Sequence, residues 1–230
     1  MKTQNTGKFY IIIVAGGKGA RFGGDIPKLL IPLAGKPVAV HSLINAANSN
    51  AAGIVLVAPQ DFFYEFEKVA RDSCDDKLLA VIPGGRERTD SVRNGLKALG
   101  KYCTNDDIVL IHDGARPLAK PELFDRCAKS VSGYGAAIVA VPAVDTIKLV
   151  ENGYVISTLS RERLLAAQTP QGFRYGMLLQ ALSTDNKFTD DAAAVEYMGK
   201  KVAIVQGDRT NIKITTQDDL KIAEIFVNHE

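Results

Sequence analysis

Short runs of apolar and β-branched residues recur along the chain, and most of them are continuous in hydrophobicity, without alternating polar positions. This pattern is typical of strands that are buried on both faces, because neither side of such a strand meets water. We therefore predict buried strands at residues 10–15, 54–58, 78–82, 108–112, 136–141 and 202–206.

Helix-like segments separate these strands. They cover residues 37–48, 62–71, 91–99, 121–132, 177–182 and 190–198. We expect a last helix to open at Thr216, since Asp219 three residues later completes a capping-box pattern. Repeated alternation of strand and helix predicts an α/β fold with a mainly parallel, Rossmann-like sheet and helices on both faces. We expect residues 1–230 to form one domain.

One segment, residues 145–160, does not follow the alternation of strand and helix. Two strand-like runs flank the dipeptide Asn152-Gly153, at 145–151 and 154–159. Asn-Gly between β-runs predicts a hairpin, because both central positions of a type I′ turn need a positive φ. We expect this hairpin to project from the sheet as an arm at about residues 144–165. An arm without a function is the alternative at this point.

Composition narrows the classes of function. The 230 residues carry 28 basic and 26 acidic side chains, for a formal net charge of +2, which argues against a polybasic surface for nucleic acid. The three cysteines are widely spaced and lie in no C-x-x-C pair, so neither a zinc site nor a disulfide framework is supported. No apolar run approaches the roughly 18 residues of a membrane helix. We expect a cytoplasmic protein without nucleic-acid or membrane partners.

A glycine-rich turn follows the first predicted strand. Residues 16–24 read GGKGARFGG, and Lys18, Arg21 and Lys28 add positive charge. Glycines let a backbone fold around an anion and present its N–H groups, so a polyphosphate is the expected ligand. The turn fits neither the P-loop nor the dinucleotide fingerprint, whose sixth position is Phe22 here. A tight strand-to-helix turn without a ligand is the alternative.

The string from Ala15 to Lys28 resembles the signature of sugar-phosphate nucleotidyltransferases, whose strand-to-loop segment wraps a nucleoside triphosphate. Six further strings narrow the resemblance: RTDSV at 88–92, HDGARP at 112–117, DTIK at 145–148, QTPQ at 168–171, TDDA at 189–192 and NIKIT at 211–215. In this order, from Ile11 to about Ala223, they are similar to the 2-C-methyl-D-erythritol 4-phosphate cytidylyltransferase family of the non-mevalonate isoprenoid pathway.

The resemblance implies that a phosphate oxygen of methylerythritol phosphate attacks the α-phosphorus of CTP and expels pyrophosphate, with Mg²⁺ as cofactor. This nucleophile is already an anion and needs no base, which agrees with three histidines that form no evident catalytic constellation. Two polyanions have to meet while charge develops on the α-phosphate, which is a task for fixed cations. By resemblance the catalytic residues are Arg21 and Lys28, which stabilise the transition state, and Arg161 and Lys213, which orient the attacking phosphate.

The same resemblance implies the residues that bind CTP: Ala15, Gly16, Gly17, Gly19, Gly85, Arg86, Ser91 and Asp113. The loop at 84–86 and the hydroxyl of Ser91 would distinguish cytosine from uracil, and Asp113 would lie near the ribose and the metal. Asp113 follows a predicted strand, where an open α/β sheet binds ligands. The alternatives are a simple Gly-Gly turn, an N-capping Ser91 and a loop-capping Asp113. A smaller or acidic residue would be expected at Arg86, so only its backbone is implicated.

On the acceptor side, the resemblance implies a pocket built from Arg116, Thr146, Thr169, Thr189 and Asp190. Threonine hydroxyls and guanidinium groups suit a hydroxylated phosphate ester. In the family the arm crosses to the other subunit of a homodimer and completes its pocket. We therefore expect a homodimer through the arm.

Three rival functions stay open at this point. Ribitol-5-phosphate cytidylyltransferase shares the fold, CTP and many of the strings. A noncatalytic nucleotide-binding module would not need cations at both ends of the reaction. A dinucleotide-dependent oxidoreductase would need the fingerprint glycine and an acidic residue after the second strand, which ends at Ala58-Pro59 instead.

Overall fold

A seven-stranded sheet forms the centre of the protein in the computed structural model, which describes residues 8–16, 26–184 and 186–228. Its strand order is β11-β7-β10-β6-β1-β4-β5. These strands are β1 (Phe9–Val14), β4 (Gly53–Ala58), β5 (Leu78–Pro83), β6 (Ile108–Asp113), β7 (Ala136–Pro142), β10 (Leu165–Arg174) and β11 (Ala203–Gln206). The short strands β2 (Pro32–Leu33) and β3 (Lys36–Pro37) pair with each other in a separate ribbon.

The sheet is mainly parallel, as predicted, and all six predicted strands are confirmed. Within it β10 is antiparallel to both of its neighbours, β6 and β7. The sequence pattern missed this ten-residue strand. Its first half carries no sustained β-branched run, and the QTPQ string at 168–171 contains a proline, which ordinarily argues against a central strand.

Seven helices cover the two faces of the sheet within the described residues: α1 (Val38–Asn48), α2 (Phe63–Cys74), α3 (Arg88–Leu99), α4 (Pro121–Tyr134), α5 (Tyr175–Ala181), α6 (Asp191–Tyr197) and α7 (Gln217–Asn228). Along β1 the side chains alternate between two apolar clusters. Ile11 and Ile13 pack in the cluster that contains residues of α1, α2, α4 and α7, whereas Ile12 packs in the cluster of α3, α5 and α6. The prediction of helices on both faces is therefore confirmed.

Two helix starts test the sequence-based capping arguments. The predicted capping box at the start of α7 is confirmed, since the Asp219 N–H donates to Thr216 Oγ1 at 3.2 Å and the Thr216 N–H donates to Asp219 Oδ2 at 2.8 Å. The predicted start of α3 at residue 91 is wrong. This helix begins at Arg88, because the Glu87 N–H donates to Asp90 Oδ2 at 3.1 Å and closes the first turn three residues earlier.

The predicted hairpin is confirmed as β8 (Lys148–Glu151) and β9 (Tyr154–Thr158), which pair with each other in a sheet of their own. Asn152 and Gly153 have φ of 49° and 83°, as a type I′ turn requires. We call residues 144–165 the arm. No helix in the described part of the chain is long and apolar enough to cross a membrane.

Gly172 lies where α4 packs directly on the backbone of β10. A Cβ at this position would lie 2.6 Å from Leu110 Cδ2 and 2.7 Å from Val131 Cγ2, and both of these side chains are fully buried. Gly172→Ala is therefore expected to lower the free energy of unfolding by about 1–3 kcal/mol, measured by urea denaturation. The control is Gly133→Ala in α4, where a Cβ meets no atom within 4 Å. This variant should be as stable as the wild type or more stable by up to about 1 kcal/mol, so equal losses in both variants would contradict the packing argument.

Candidate active site

The candidate site lies at the sheet edge where the parallel strands β1 and β6 end, with Val14 paired to Asp113. A cavity of about 240 Å³ opens there. It is lined by Arg88, Asp113, Arg116, Ala167, Gln168, Thr169, Gln171, Thr189, Asp190 and Lys213. Six residues that the sequence analysis assigned to the site meet in this cavity: Asp113, Arg116, Thr169, Thr189, Asp190 and Lys213.

Asp113, the last residue of β6, is buried among three cations. Its Oδ2 accepts a hydrogen bond of 2.7 Å from Lys213 Nζ, and Arg88 Nε lies 3.4 Å from Oδ1. Arg116 Nε is 4.0 Å from Oδ2. Burial alone would raise the pKa of Asp113, but the charges of Arg88 and Lys213 outweigh it and hold the pKa well below its ordinary value. The carboxylate is therefore ionised at neutral pH.

Arg88 connects Asp113 to a second buried carboxylate. Its Nη2 lies 2.8 Å from Oδ2 of Asp191, whose side chain is only 2% exposed. Burial raises the pKa of Asp191, and the charge of Arg88 opposes that rise. Arg88 and Asp191 lie inside two of the quoted strings, RTDSV and TDDA, but the sequence analysis gave them no role. Their pairing spans 103 positions, so no local signal could have found it.

A bulge in β10 brings Thr169 to the end of β6. Residues 168–170 stand opposite the single residue Val139, between the pairs Ala167↔Ala140 and Gln171↔Ile138. Bulges of this kind redirect side chains near functional sites. Thr169 Oγ1 accepts a hydrogen bond of 3.0 Å from the backbone N–H of Asp113.

The same hydroxyl of Thr169 fixes His112, which is fully buried. Nε2 of His112 lies 3.2 Å from the carbonyl oxygen of Arg116, so Nε2 carries the proton and donates. Nδ1 is then left to accept from the Thr169 hydroxyl at 3.0 Å. Burial lowers the pKa of His112 to about 4, although Asp113 opposes that shift. His112 therefore acts as a neutral support for the site, a role that the sequence analysis missed.

The segment before α7 carries Lys213 and binds the side chain of Lys28. The buried side chain of Asn211 donates to the carbonyl oxygen of Thr169 at 2.9 Å, and Arg116 Nη1 donates to the carbonyl oxygen of Asn211 at 2.7 Å. Lys28 Nζ donates to the carbonyl oxygen of Ile214 at 2.9 Å, one residue after Lys213. The resemblance assigns Lys213 and Lys28 to opposite ends of the reaction. Both are therefore connected to the same backbone segment, since Lys213 belongs to it and Lys28 binds its carbonyl at Ile214.

Ser91 closes the loop that the sequence analysis assigned to CTP. Its Oγ accepts from the Gly85 N–H at 3.0 Å and donates to the carbonyl oxygen of Glu87 at 3.2 Å. A Cβ on Gly16 would lie 3.5 Å from this Oγ, so the end of β1 reaches the same loop. Ser91 lies within α3, and the alternative that it caps the helix is therefore wrong. The neighbouring Arg86 is exposed, and a Cβ on Gly85 would collide with Asp90.

Other predicted residues lie elsewhere. Gly17, Gly19 and Arg21 lie outside the described residues. Thr146 and Arg161 are exposed on the arm and are not among the described residues that line the cavity. Arg161 Nη1 donates to the carbonyl oxygen of Val144 at 2.9 Å.

Asp190 and Ala15 already have defined structural contacts. The Asp190 carboxylate accepts from the Ala193 N–H and from Gln171 Nε2, each at 2.9 Å, so it caps α6. Ala15 N–H donates to the carbonyl oxygen of Val57 at 2.9 Å, which extends the pairing of β1 with β4 toward the site.

The donor chemistry of Asp113 fits a divalent cation in part. Among the described residues, no group of three or more His, Cys, Asp or Glu side chains could hold a metal ion. Mg²⁺ commonly binds through one or two carboxylates, with phosphate oxygens and water completing the shell. The ionised carboxylate of Asp113 can supply such a ligand, which it would share with Lys213 and Arg88. Metal binding at Asp113 stays a prediction.

Comparisons with known proteins agree over the length of the chain. Residues 9–229 match the family model described as 2-C-methyl-D-erythritol 4-phosphate cytidylyltransferase. The chain belongs to this family. The Bacillus licheniformis enzyme of that name is 43% identical over 227 residues, which cover 96% of each chain, and the Syntrophotalea carbinolica enzyme is 42% identical over 225 residues, which cover 95% of this chain and 96% of that one.

Solved structures of the same family confirm the fold. The 4-diphosphocytidyl-2C-methyl-D-erythritol synthase of Anaerococcus prevotii has a TM-score of 0.85 at 29% identity, and the match covers 97% of this chain and 100% of that one. The Francisella tularensis 2-C-methyl-D-erythritol 4-phosphate cytidylyltransferase has a TM-score of 0.80 at 32% identity, over 95% and 99% of the two chains. The resemblance to the methylerythritol phosphate cytidylyltransferases is thus confirmed, and the dinucleotide-dependent oxidoreductase is excluded.

The neutral state of His112 makes the stability of this cytidylyltransferase depend on pH. Its pKa is about 4 in the folded protein, against an ordinary value of 6.5, so between these values the unfolded chain binds the proton more readily. The free energy of unfolding is therefore expected to fall as the pH is lowered from 6.5 to 4, by roughly 3 kcal/mol from this residue.

The measurement is urea denaturation at several pH values for the wild type and His112→Gln. The stability advantage of the wild type should shrink over this pH window, because the variant has no imidazole to protonate. An advantage that stays constant from pH 6.5 to 4 would contradict the neutral, buried imidazole.

Proposed function

We propose that this protein transfers CMP from CTP to 2-C-methyl-D-erythritol 4-phosphate, giving 4-diphosphocytidyl-2-C-methyl-D-erythritol and pyrophosphate. The observation that carries the proposal is the family match over residues 9–229. The chemistry of the cavity supports it. Arg88, Arg116 and Lys213 bring three cationic side chains to the cavity lining, and such side chains suit phosphate groups.

The reaction needs no side chain to remove a proton. A phosphate oxygen of the acceptor forms the new bond to the α-phosphorus of CTP, and the bond between that phosphorus and the α,β-bridging oxygen breaks. The electron pair leaves with pyrophosphate. The neutral His112 agrees with this chemistry, because its two ring nitrogens are already engaged by Thr169 and by the Arg116 carbonyl.

The cations lower the barrier by meeting charge that develops in the transition state. Lys213 lies in the cavity and would orient the attacking phosphate, while Lys28, which binds the backbone at Ile214, would reach the triphosphate from the same side. Arg21 would act with Lys28, as the family resemblance implies. Arg116 and Thr189 line the cavity and would bind the acceptor.

CTP would lie along the end of β1 and the loop closed by Ser91. The exposed Gly85 would offer its backbone carbonyl to the cytosine edge, and the glycine-rich segment after Gly16 would bind the triphosphate. Mg²⁺ would be held by Asp113, and when bound it would neutralise charge on the triphosphate.

We propose further that the arm completes the site of a partner in a homodimer. Five apolar residues of its hairpin are each more than half exposed: Leu149, Val150, Tyr154, Val155 and Ile156. Consecutive residues of a strand point to opposite faces, so both faces of the arm carry exposed apolar side chains. A two-stranded hairpin alone is marginally stable in water, and a second copy of the arm would cover it.

The reaction itself is tested by pyrophosphate release with CTP and Mg²⁺. Methylerythritol phosphate should support turnover, whereas ribitol 5-phosphate should support little, and UTP should replace CTP poorly. Lys213→Ala should lower kcat by about 10²–10³, because it removes one preorganised contact with the reacting phosphate. Glu196→Gln, an exposed position on α6, is the control and should behave as the wild type. Turnover with ribitol phosphate alone would overturn the proposed acceptor.

The shared site is tested by mixing two inactive chains. Arg161→Ala and Lys28→Ala should each lack activity, and their heterodimer should regain part of it, because one of its two composite sites is intact. Sedimentation should give a dimer at the assay concentration. A monomer, or no recovery in isolated heterodimers, would return the arm to a role within its own chain.

A further inference from the structure

Arg88 lies between two buried carboxylates that come from distant parts of the chain. Asp113 ends β6 and Asp191 begins α6, while Arg88 itself begins α3. Its Nε is 3.4 Å from Asp113 Oδ1 and its Nη2 is 2.8 Å from Asp191 Oδ2. One guanidinium group therefore forms ion pairs with both carboxylates through different nitrogens.

Capping does not account for the burial of Asp191. Asp190 caps α6 through the Ala193 N–H, and the Ala192 N–H donates to Gln171 Oε1 at 3.3 Å. A carboxylate with 2% exposure loses most of its hydration, and such a group is ordinarily retained only where a cation faces it. Arg88 is that cation.

We propose that Asp191 is a positioning residue that acts through Arg88 on Asp113. This inference rests on the proposed function. Asp191 draws one end of the guanidinium group toward α6, so that Arg88 meets Asp113 at Oδ1 and leaves Oδ2 to Lys213. Without Asp191, Arg88 is free to turn fully onto Asp113 and to compete with Lys213 for the carboxylate. The lysine that orients the attacking phosphate would then lose its fixed place.

The geometry also joins the two halves of the site. Arg88 follows directly on the loop that Ser91 closes on the nucleotide side. Asp191 follows Thr189 and Asp190, which line the cavity on the acceptor side. A shift of either segment is therefore transmitted to Asp113 through one side chain.

The proposal is tested by a kinetic double-mutant cycle with Asp191→Asn, Arg88→Met and the double variant, using CTP, Mg²⁺ and methylerythritol phosphate. Asp191→Asn should lower kcat/KM for the acceptor at least ten-fold. The double variant should match Arg88→Met within two-fold, because Asp191 has no effect once Arg88 is absent. Glu196→Gln, which removes one exposed negative charge from the same helix, should match the wild type.

A separate comparison distinguishes charge from packing. Asp191→Glu keeps the charge and Asp191→Asn keeps the shape, so a positioning role through Arg88 predicts a higher kcat for the glutamate variant. The reverse order would leave Asp191 with a packing role only and overturn the proposal. Thermal unfolding of each variant shows whether the assayed chain is folded.

If Asp191→Asn alone does not fold, the comparison of the double variant with Arg88→Met decides, since the double variant leaves no buried charge of this pair unpaired. A double variant with more than two-fold lower kcat/KM than Arg88→Met would overturn the proposal, as would a folded Asp191→Asn with wild-type kinetics. Wild-type protein without turnover on methylerythritol phosphate would instead contradict the proposed function.

Discussion

The burial of one carboxylate organises the candidate site. Asp113 stands at the end of a central strand, where it has lost most of its contact with water, and an ionised group in that position needs cations around it. These cations come from the start of α3, from the turn after β6 and from the segment before α7. Electrostatic attraction to Asp113 therefore holds three separate parts of the chain against one sheet edge.

The antiparallel strand β10 supplies hydrogen bonds that hold Asp113 and the residues around it in place. Its bulge aims Thr169 at the backbone of Asp113 and at His112, and its Gln171 holds Asp190. In the described structure these polar groups bind other parts of the protein. The cations around Asp113 are the groups suited to phosphate, which agrees with a reaction between two anions that requires charge stabilisation and no proton transfer.

The arm differs from the site because its side chains are exposed to solvent. Each residue of β8 and β9 is exposed, although five of their nine residues are apolar. The hairpin is defined locally by Asn152-Gly153, whose backbone adopts the two positive φ values of the turn. Within the described chain its apolar side chains stay exposed, and a second copy that covers them is therefore proposed and tested separately.

Local pattern was enough to predict six strands of the sheet, the helices on both faces, the capping box at Thr216 and the hairpin turn. Each of these features depends on residues within a few positions of one another. Burial on both faces, capping and turn geometry each select particular residue types at those positions. The order of the motifs also identified the family, because their order and residue types are properties of the chain alone.

The features that local pattern did not predict depend on contacts between distant parts of the chain. Strand β10 has little strand pattern of its own in its first half and forms because β6 and β7 pair with it on both sides. The pairing of Arg88 with Asp191 and the neutral state of His112 arise from contacts between segments 57 to 103 positions apart in the sequence. A charge or a proton is placed by burial and by its neighbours in space, so the sequence determined which residues were available and the fold determined what each of them does.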